Sequence, residues 1–273
     1  MAMIHDAPTS ASANPSLRGV LTVLLLSSIP ILLTGFLRTL TVAKWPILVG
    51  ALVLLVPALL YLRRKHCNLQ VVFRLNTISG RVMAVTLVLG LAITAIVLAF
   101  DATINQILPF PKILRLQMRE ALLVEGAFDW FILILGGVIL VGTFEEMLFR
   151  GMVQTTLEIR HSPLPAIALT AVLFGAVHLD PWRFLQFIVL GFFLGILAWK
   201  SKSIIPSAIV HAQNNLIAVI ISNTSESSEL SWLANTNDRL MVLAVAIVLA
   251  VIGFHLYFRF CDQDEVFPTL LNT

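Results

Sequence analysis

Long apolar runs separated by short polar stretches recur from one end of the chain to the other. Eight of them reach or approach the roughly 20 residues that a helix needs to cross a bilayer, at about 19–37, 45–62, 82–100, 127–149, 164–179, 184–199, 204–222 and 240–258. The pattern predicts an all-α polytopic transmembrane bundle of about eight spans. Pro30 and Pro57 fall inside the first two runs and predict kinks. The first run is longer than a secretory h-region and lacks a small-residue cleavage site before Arg38, so it reads as a membrane helix.

The breaks between runs carry as much information as the runs. The fourth helix continues past Arg150 through Met152, Val153, Leu157 and Ile159 until His161-Ser162-Pro163 ends it, and Pro165 is tolerated in the first turn of the next helix. Leu179-Asp180-Pro181 breaks the fifth run inside membrane depth, which is permitted where freed backbone lines a watery cavity. A shortened or tilted connection between the fifth and sixth helices is expected there. Residues 112–124 mix Ile113, Leu114, Leu116, Met118 and Leu123 with Lys112, Arg115, Arg119 and Glu120, a pattern that suits a helix lying in the interface. The resulting division is a disordered tail at 1–16, a transmembrane scaffold at 17–126, a core carrying the chemistry at 127–222, and an outer loop, last helix and tail at 223–273.

Composition agrees with the pattern. The 273 residues are 58% apolar and 12% charged, with mean hydropathy +0.94, against roughly 25% charged residues in a soluble domain. Lys and Arg divide 11 to 7 between the two sides of an eight-span topology, and the cluster Arg63, Arg64, Lys65 decides the assignment. Both termini are therefore expected to be cytoplasmic, in a cell inner (plasma) membrane, with Glu226, Glu229 and Asp238 facing outward. The net charge of +3 comes from scattered juxtamembrane anchors. No basic stripe suggests nucleic acid. Cys67 and Cys261 show no ligand spacing and read as reduced bystanders.

Candidate chemistry sits in the fourth, fifth and seventh runs. Glu145 and Glu146 stand side by side in an apolar helix with Arg150 one turn on, where an ionised side chain costs about 2.5–3.5 kcal/mol at the membrane centre and calls for compensation. Glu146 and Arg150, at i and i+4, can pair as structural support, which leaves Glu145, rotated by about 100°, without a local partner. His178 follows Phe174 by one turn, and His211 precedes Asn215 by one turn. Counted from the turn near 161–162, Glu145 and His178 come to the same depth. Full-length spans would separate His178 from His211 by about 20 Å, and only the break at Leu179-Asp180-Pro181 relieves that. With Glu145 as base and His178 orienting or deprotonating a water, a nucleophile forms. Donors from His211 and Asn215 then hold an oxyanion. The other chemical reading makes Glu145, His178 and His211 ligands of Zn²⁺ with water in the fourth place; the absence of His-Glu-x-x-His ranks it second.

Glu145-Glu146-x-x-x-Arg150, Phe174-x-x-x-His178 and His211-x-x-x-Asn215, in that order on successive membrane helices, resemble the three motifs of the CAAX prenyl protease 2 family, the type II CAAX proteases and bacteriocin-processing or self-immunity proteins (CPBP). The resemblance spans about residues 127–222. It implies an eight-helix intramembrane endopeptidase of the glutamate type. Glu145 and His178 would activate water, His211 and Asn215 would form the oxyanion site, and Glu146, Arg150 and Phe174 would support them. Gly191 and Gly195 fall where the family's sixth helix packs closely, a spacing with its own reading as a Gly-x-x-x-Gly contact. The expected partners are membrane lipids and a membrane-associated peptide or protein, prenylated in the eukaryotic members, with no resident cofactor. Two rival classes are a non-catalytic immunity-type membrane protein on the same fold and a transporter using Glu145 and His178 as a proton relay; the chain has no internal repeat of the kind that marks transporters.

Overall fold

The computed structural model describes residues 14–40, 43–224 and 235–270, and every regular element among them is helical. Most of the expected disordered tail lies outside the described residues, as do Glu226 and Glu229 of the outer loop. Seven helices are long and apolar enough to cross a membrane. The fifth expected span is instead a helix of 15 residues, Pro163–Val177, about 22 Å long at 1.5 Å per residue and short of the roughly 30 Å hydrocarbon core.

The first span is α1 (Leu17–Leu40), with Pro30 inside it. The second divides into α2 (Trp45–Leu54) and α3 (Val56–Arg64) at Leu55. Pro57 explains the division, because it has no N–H to donate and its ring crowds the carbonyl four residues back. After the short α4 (Leu69–Val72), α5 (Gly80–Ile107) opens on Ser79, whose hydroxyl accepts from the Val82 amide. The interfacial helix expected at 112–124 is α6 (Lys112–Leu122), which buries none of its residues. Asn223 ties its end down, accepting from the Val124 amide at 2.8 Å and donating to the Leu122 carbonyl at 2.8 Å.

The segment from Ala127 to Glu158 alternates between two helix types: α7 (Ala127–Ile132), π1 (Leu133–Leu140), α8 (Val141–Glu146), π2 (Met147–Val153) and α9 (Gln154–Glu158). A π turn closes on i→i+5 bonds and so shifts the phase of the faces that follow it. Glu145 and Glu146 lie on the α-helical piece between two such shifts. Gly136 in π1 lets α2 come close, since a Cβ there would stand 3.1 Å from the Leu48 Cα.

Three further helices complete the core around this segment: α10 (Pro163–Val177), α11 (Phe184–Ser201) and α12 (Ile205–Ser222), with α13 (Thr236–Leu270) packed on α5. One apolar cluster joins α1, α3 and π2 to α10 through Leu62, Leu148, Phe149, Met152 and Phe174. A second joins α5, α11, α12 and α13 through Leu89, Ile93, Leu194, Val210 and Tyr257. The charged side chains of α8 and π2 lie between these two dry masses, and so their partners have to come from the protein.

Candidate active site

Glu146 and Arg150 are both fully buried and paired, with Arg150 Nη1 donating to Glu146 Oε1 at 2.7 Å. The pair is not left to itself. Arg150 Nη2 donates to the Gly191 carbonyl at 3.1 Å, and its guanidinium lies 4.4 Å from the centre of the Phe174 ring. One turn further, Gln154 Nε2 donates to the Gly195 carbonyl at 3.0 Å and to Glu158 Oε1 at 2.8 Å. A helical carbonyl has a second lone pair to offer, but a neighbour reaches it only where side chains are absent. A Cβ on Gly191 would stand 3.2 Å from the Ala171 Cα, and one on Gly195 would stand 2.8 Å from Ile167 Cγ2 and 3.1 Å from Gln154 Oε1. The two glycines thus admit both α10 and the polar face of π2 and α9.

Glu146 Oε1 has a second partner, His211 Nδ1 at 2.9 Å. A carboxylate on Nδ1 fixes the proton there and turns Nε2 the other way. His211 Nε2 lies 3.8 Å from Glu145 Oε2. His178 is held in the same manner, its Nδ1 2.6 Å from the Phe174 carbonyl and its Nε2 4.0 Å from Glu145 Oε2. Both imidazoles therefore present Nε2 to one carboxylate oxygen, which makes no hydrogen bond within the described residues.

His178 caps the C-terminus of α10, and Leu179 follows in the left-handed region at φ 50°. Asp180 then accepts from the Trp182 and Arg183 amides at 3.1 Å each and pairs with Arg183 at 2.7 Å. The break is thus a fixed turn, and it leaves His178 stacked on Phe187 of α11 with ring centres 4.0 Å apart. Phe174, 1% exposed, fills the middle, its ring edge-on to His178 at 4.8 Å and to His211 at 5.7 Å. The early end of α10 removes the depth gap that full-length spans would create.

Asn215 stands apart from this trio. Its Nδ2 donates to the Gly137 carbonyl of π1 at 3.0 Å, one turn along α12 from His211. The structure therefore gathers Glu145, Glu146, Arg150, Phe174, His178 and His211 around one point and places Asn215 beside π1 with one N–H engaged. Sequence reasoning missed Gln154, Phe187 and Gly137. Gln154 was within reach, since Glu146, Arg150 and Gln154 recur every four residues; Phe187 lies across a loop from His178 and leaves no sequence trace of the contact.

The donor set does not suit Zn²⁺ as arranged. A tetrahedral site with bonds of about 2.0–2.2 Å sets ligand atoms about 3.3–3.6 Å apart, closer than the 3.8 and 4.0 Å between Glu145 Oε2 and the two imidazoles. Among the described residues no group of three or more His, Cys, Asp or Glu side chains stands at metal-ligating distance.

Fold and site together define an integral membrane protein of helices, with ionisable side chains gathered inside the bundle. Residues 127–217, a third of the chain, match the family described as Rce1-like: type II CAAX prenyl endopeptidase Rce1-like. The resemblance read from the three motifs is thereby borne out over that stretch, and the match supports, in general terms, a peptidase of the CAAX-type intramembrane kind. No curated protein and no solved structure matches the chain.

Proposed function

We propose that the protein hydrolyses a peptide bond of a membrane-associated protein or peptide, CAAX-type substrates included, through water activated by Glu145 and His178 near the cytoplasmic face, both termini being cytoplasmic. The observation that carries this reading is the 4.0 Å separation of Glu145 Oε2 and His178 Nε2. Two acceptors at that distance are too far apart to bond each other and suitably placed to share one water. Each accepts one hydrogen, which leaves an oxygen lone pair of the water for the scissile carbonyl. As that oxygen attacks, one proton passes to Glu145 and later to the departing amine, so the C–N bond breaks to give an amine and a carboxylic acid, which keeps the water's second proton until it ionises to the solvent. His211, charged when Nε2 is also protonated and held by Glu146, donates from Nε2 to the developing oxyanion; the second N–H of Asn215 completes that role. Glu146, Arg150, Phe174 and Gln154 hold the geometry.

A metal reading draws on one observation: imidazoles backed at Nδ1 by a carboxylate or a carbonyl are the usual state of metal-ligating histidines. The separations above do not favour it, and no step depends on it. The test is mass spectrometry of membrane peptides from cells carrying the wild-type protein or Glu145→Gln. The proposal expects peptides that end at a common bond in the wild type alone. Identical profiles would remove it, as would proton flux coupled to an uncleaved substrate in vesicles.

A further inference from the structure

One hydrogen bond does not fix an imidazole. His178 Nδ1 lies 2.6 Å from the Phe174 carbonyl oxygen, yet the ring could still swing about that contact and carry Nε2 away from Glu145. Two aromatic rings oppose the swing. Phe174 meets the imidazole edge-on, with ring centres 4.8 Å apart and planes at 68°, and Phe187 covers its face at 4.0 Å and 24°. Phe187 reaches in from α11 because the helices close up there: a Cβ on Gly175 would stand 3.1 Å from the Phe184 carbonyl oxygen and 3.2 Å from Ile188 Cγ1. The Phe187 ring is itself held. Phe174 lies edge-on to it at 6.4 Å, and the Arg183 guanidinium, paired with Asp180 at 2.7 Å, lies 5.2 Å from its centre.

We infer that Phe187 is a positioning residue for the hydrolysis: its ring sets the plane of the His178 imidazole, and with it the direction in which Nε2 meets the water shared with Glu145, a role that rests on the proposed activation of water by His178. Nε2 stands 4.0 Å from Glu145 Oε2, and its lone pair lies in the plane of the ring, so a tilt of the ring turns the lone pair off the water. Misplacements of about 1 Å cost up to about 10²-fold in rate. Phe187 has no polar side-chain atom and takes no part in proton transfer. It contributes a flat apolar face, which an aliphatic side chain of similar bulk does not supply.

Kinetics and the resonances of the imidazole test this role together. In vesicles holding a membrane-anchored peptide that the wild type cuts, Phe187→Leu should lower kcat by about tenfold to a hundredfold with KM within about twofold of the wild-type value. Phe187→Met serves the same purpose should the leucine variant fail to fold. Phe187→Tyr keeps the ring at a half-buried position and should return kcat to within about threefold of wild type. In detergent, with histidine isotopically labelled at Cε1, the resonance lost in His178→Gln should be shifted upfield by the ring current of the stacked phenyl, should move downfield in Phe187→Leu, and should hold its place in Phe187→Tyr. Unchanged kcat in Phe187→Leu, equal losses in Phe187→Leu and Phe187→Tyr, a raised KM at constant kcat, or a His178 resonance that does not move would each overturn the role. Cleavage by Glu145→Gln at the wild-type rate would instead remove the hydrolytic reading, and with it the task assigned to Phe187, while the resonance still reported the stack.

Discussion

His211 Nδ1 and Arg150 Nη1 share one oxygen of Glu146, at 2.9 and 2.7 Å. This single atom links the buried ion pair within one membrane segment to the imidazole of α12 that faces Glu145. The neighbouring carboxylates thus occupy different positions in the energetics. Glu146 is bonded through Oε1 to both Arg150 and His211, whereas Glu145 faces two imidazoles across gaps wider than a hydrogen bond.

Substitution should separate them. Glu146→Ala leaves Arg150 buried without its counter-charge, a loss of about 3–5 kcal/mol, and thermal unfolding in detergent should register a lowered midpoint. Glu145→Gln removes no hydrogen bond made by Oε2 and should unfold at the wild-type temperature. Equal midpoints for the two variants would contradict the division.

Phe174 touches Arg150, His178 and His211 with one ring. Truncation to Ala in so buried a position costs about 3–5 kcal/mol. Phe174→Ala should therefore lose stability and proteolysis together, while Phe174→Tyr should retain more of both. Proteolysis unaffected in Phe174→Ala would show that the ring does not position the imidazoles.

Gly191→Val places a branched side chain where even a Cβ would be 3.2 Å from the Ala171 backbone. The packed helices cannot yield without moving α10, at about 1–3 kcal/mol for overpacking, and Arg150 would lose the Gly191 carbonyl. Lowered thermal stability with reduced cleavage is expected; a stable, active variant would show that α10 and α11 tolerate separation.

Chelation bears on the water-activating step. Incubation of purified protein with a strong chelator should leave cleavage unchanged, because no step of the proposed mechanism uses a metal. Loss of activity restored specifically by Zn²⁺ would reinstate Glu145, His178 and His211 as ligands.

Outside the spans, burial pushes the Cys67 thiol above its ordinary range, with Lys65 opposing the shift. A raised thiol pKa means less thiolate at a given pH. Unfolding restores the ordinary value, so stability falls as pH rises past about 8.5. Iodoacetamide at pH 8 should label Cys67 slowly in the folded protein and readily after denaturation; equal rates would contradict the burial.

The spans and the three motifs were legible because both depend on local pattern: apolar length, and polar side chains one turn apart. The interfacial helix α6 was legible for the same reason. The π turns were not, since Leu133–Leu140 is apolar or Gly throughout and offers no polar phase from which a shift could be read. The meeting of His178 with His211 was beyond spacing alone, because it depends on where α10 stops and on a left-handed Leu179 fixed by the Asp180 turn. Asn215 was placed on the correct helix, but its bond to Gly137 arises from the approach of α12 to π1, which no spacing within α12 encodes.

The central claim is that Glu145 takes a proton from water in the cleavage step. Purified wild-type protein and Glu145→Gln, reconstituted in vesicles with a membrane-anchored peptide cut by the wild type, should differ in rate by about 10²–10⁴-fold at equal thermal stability. Cleavage by Glu145→Gln at the wild-type rate would contradict it.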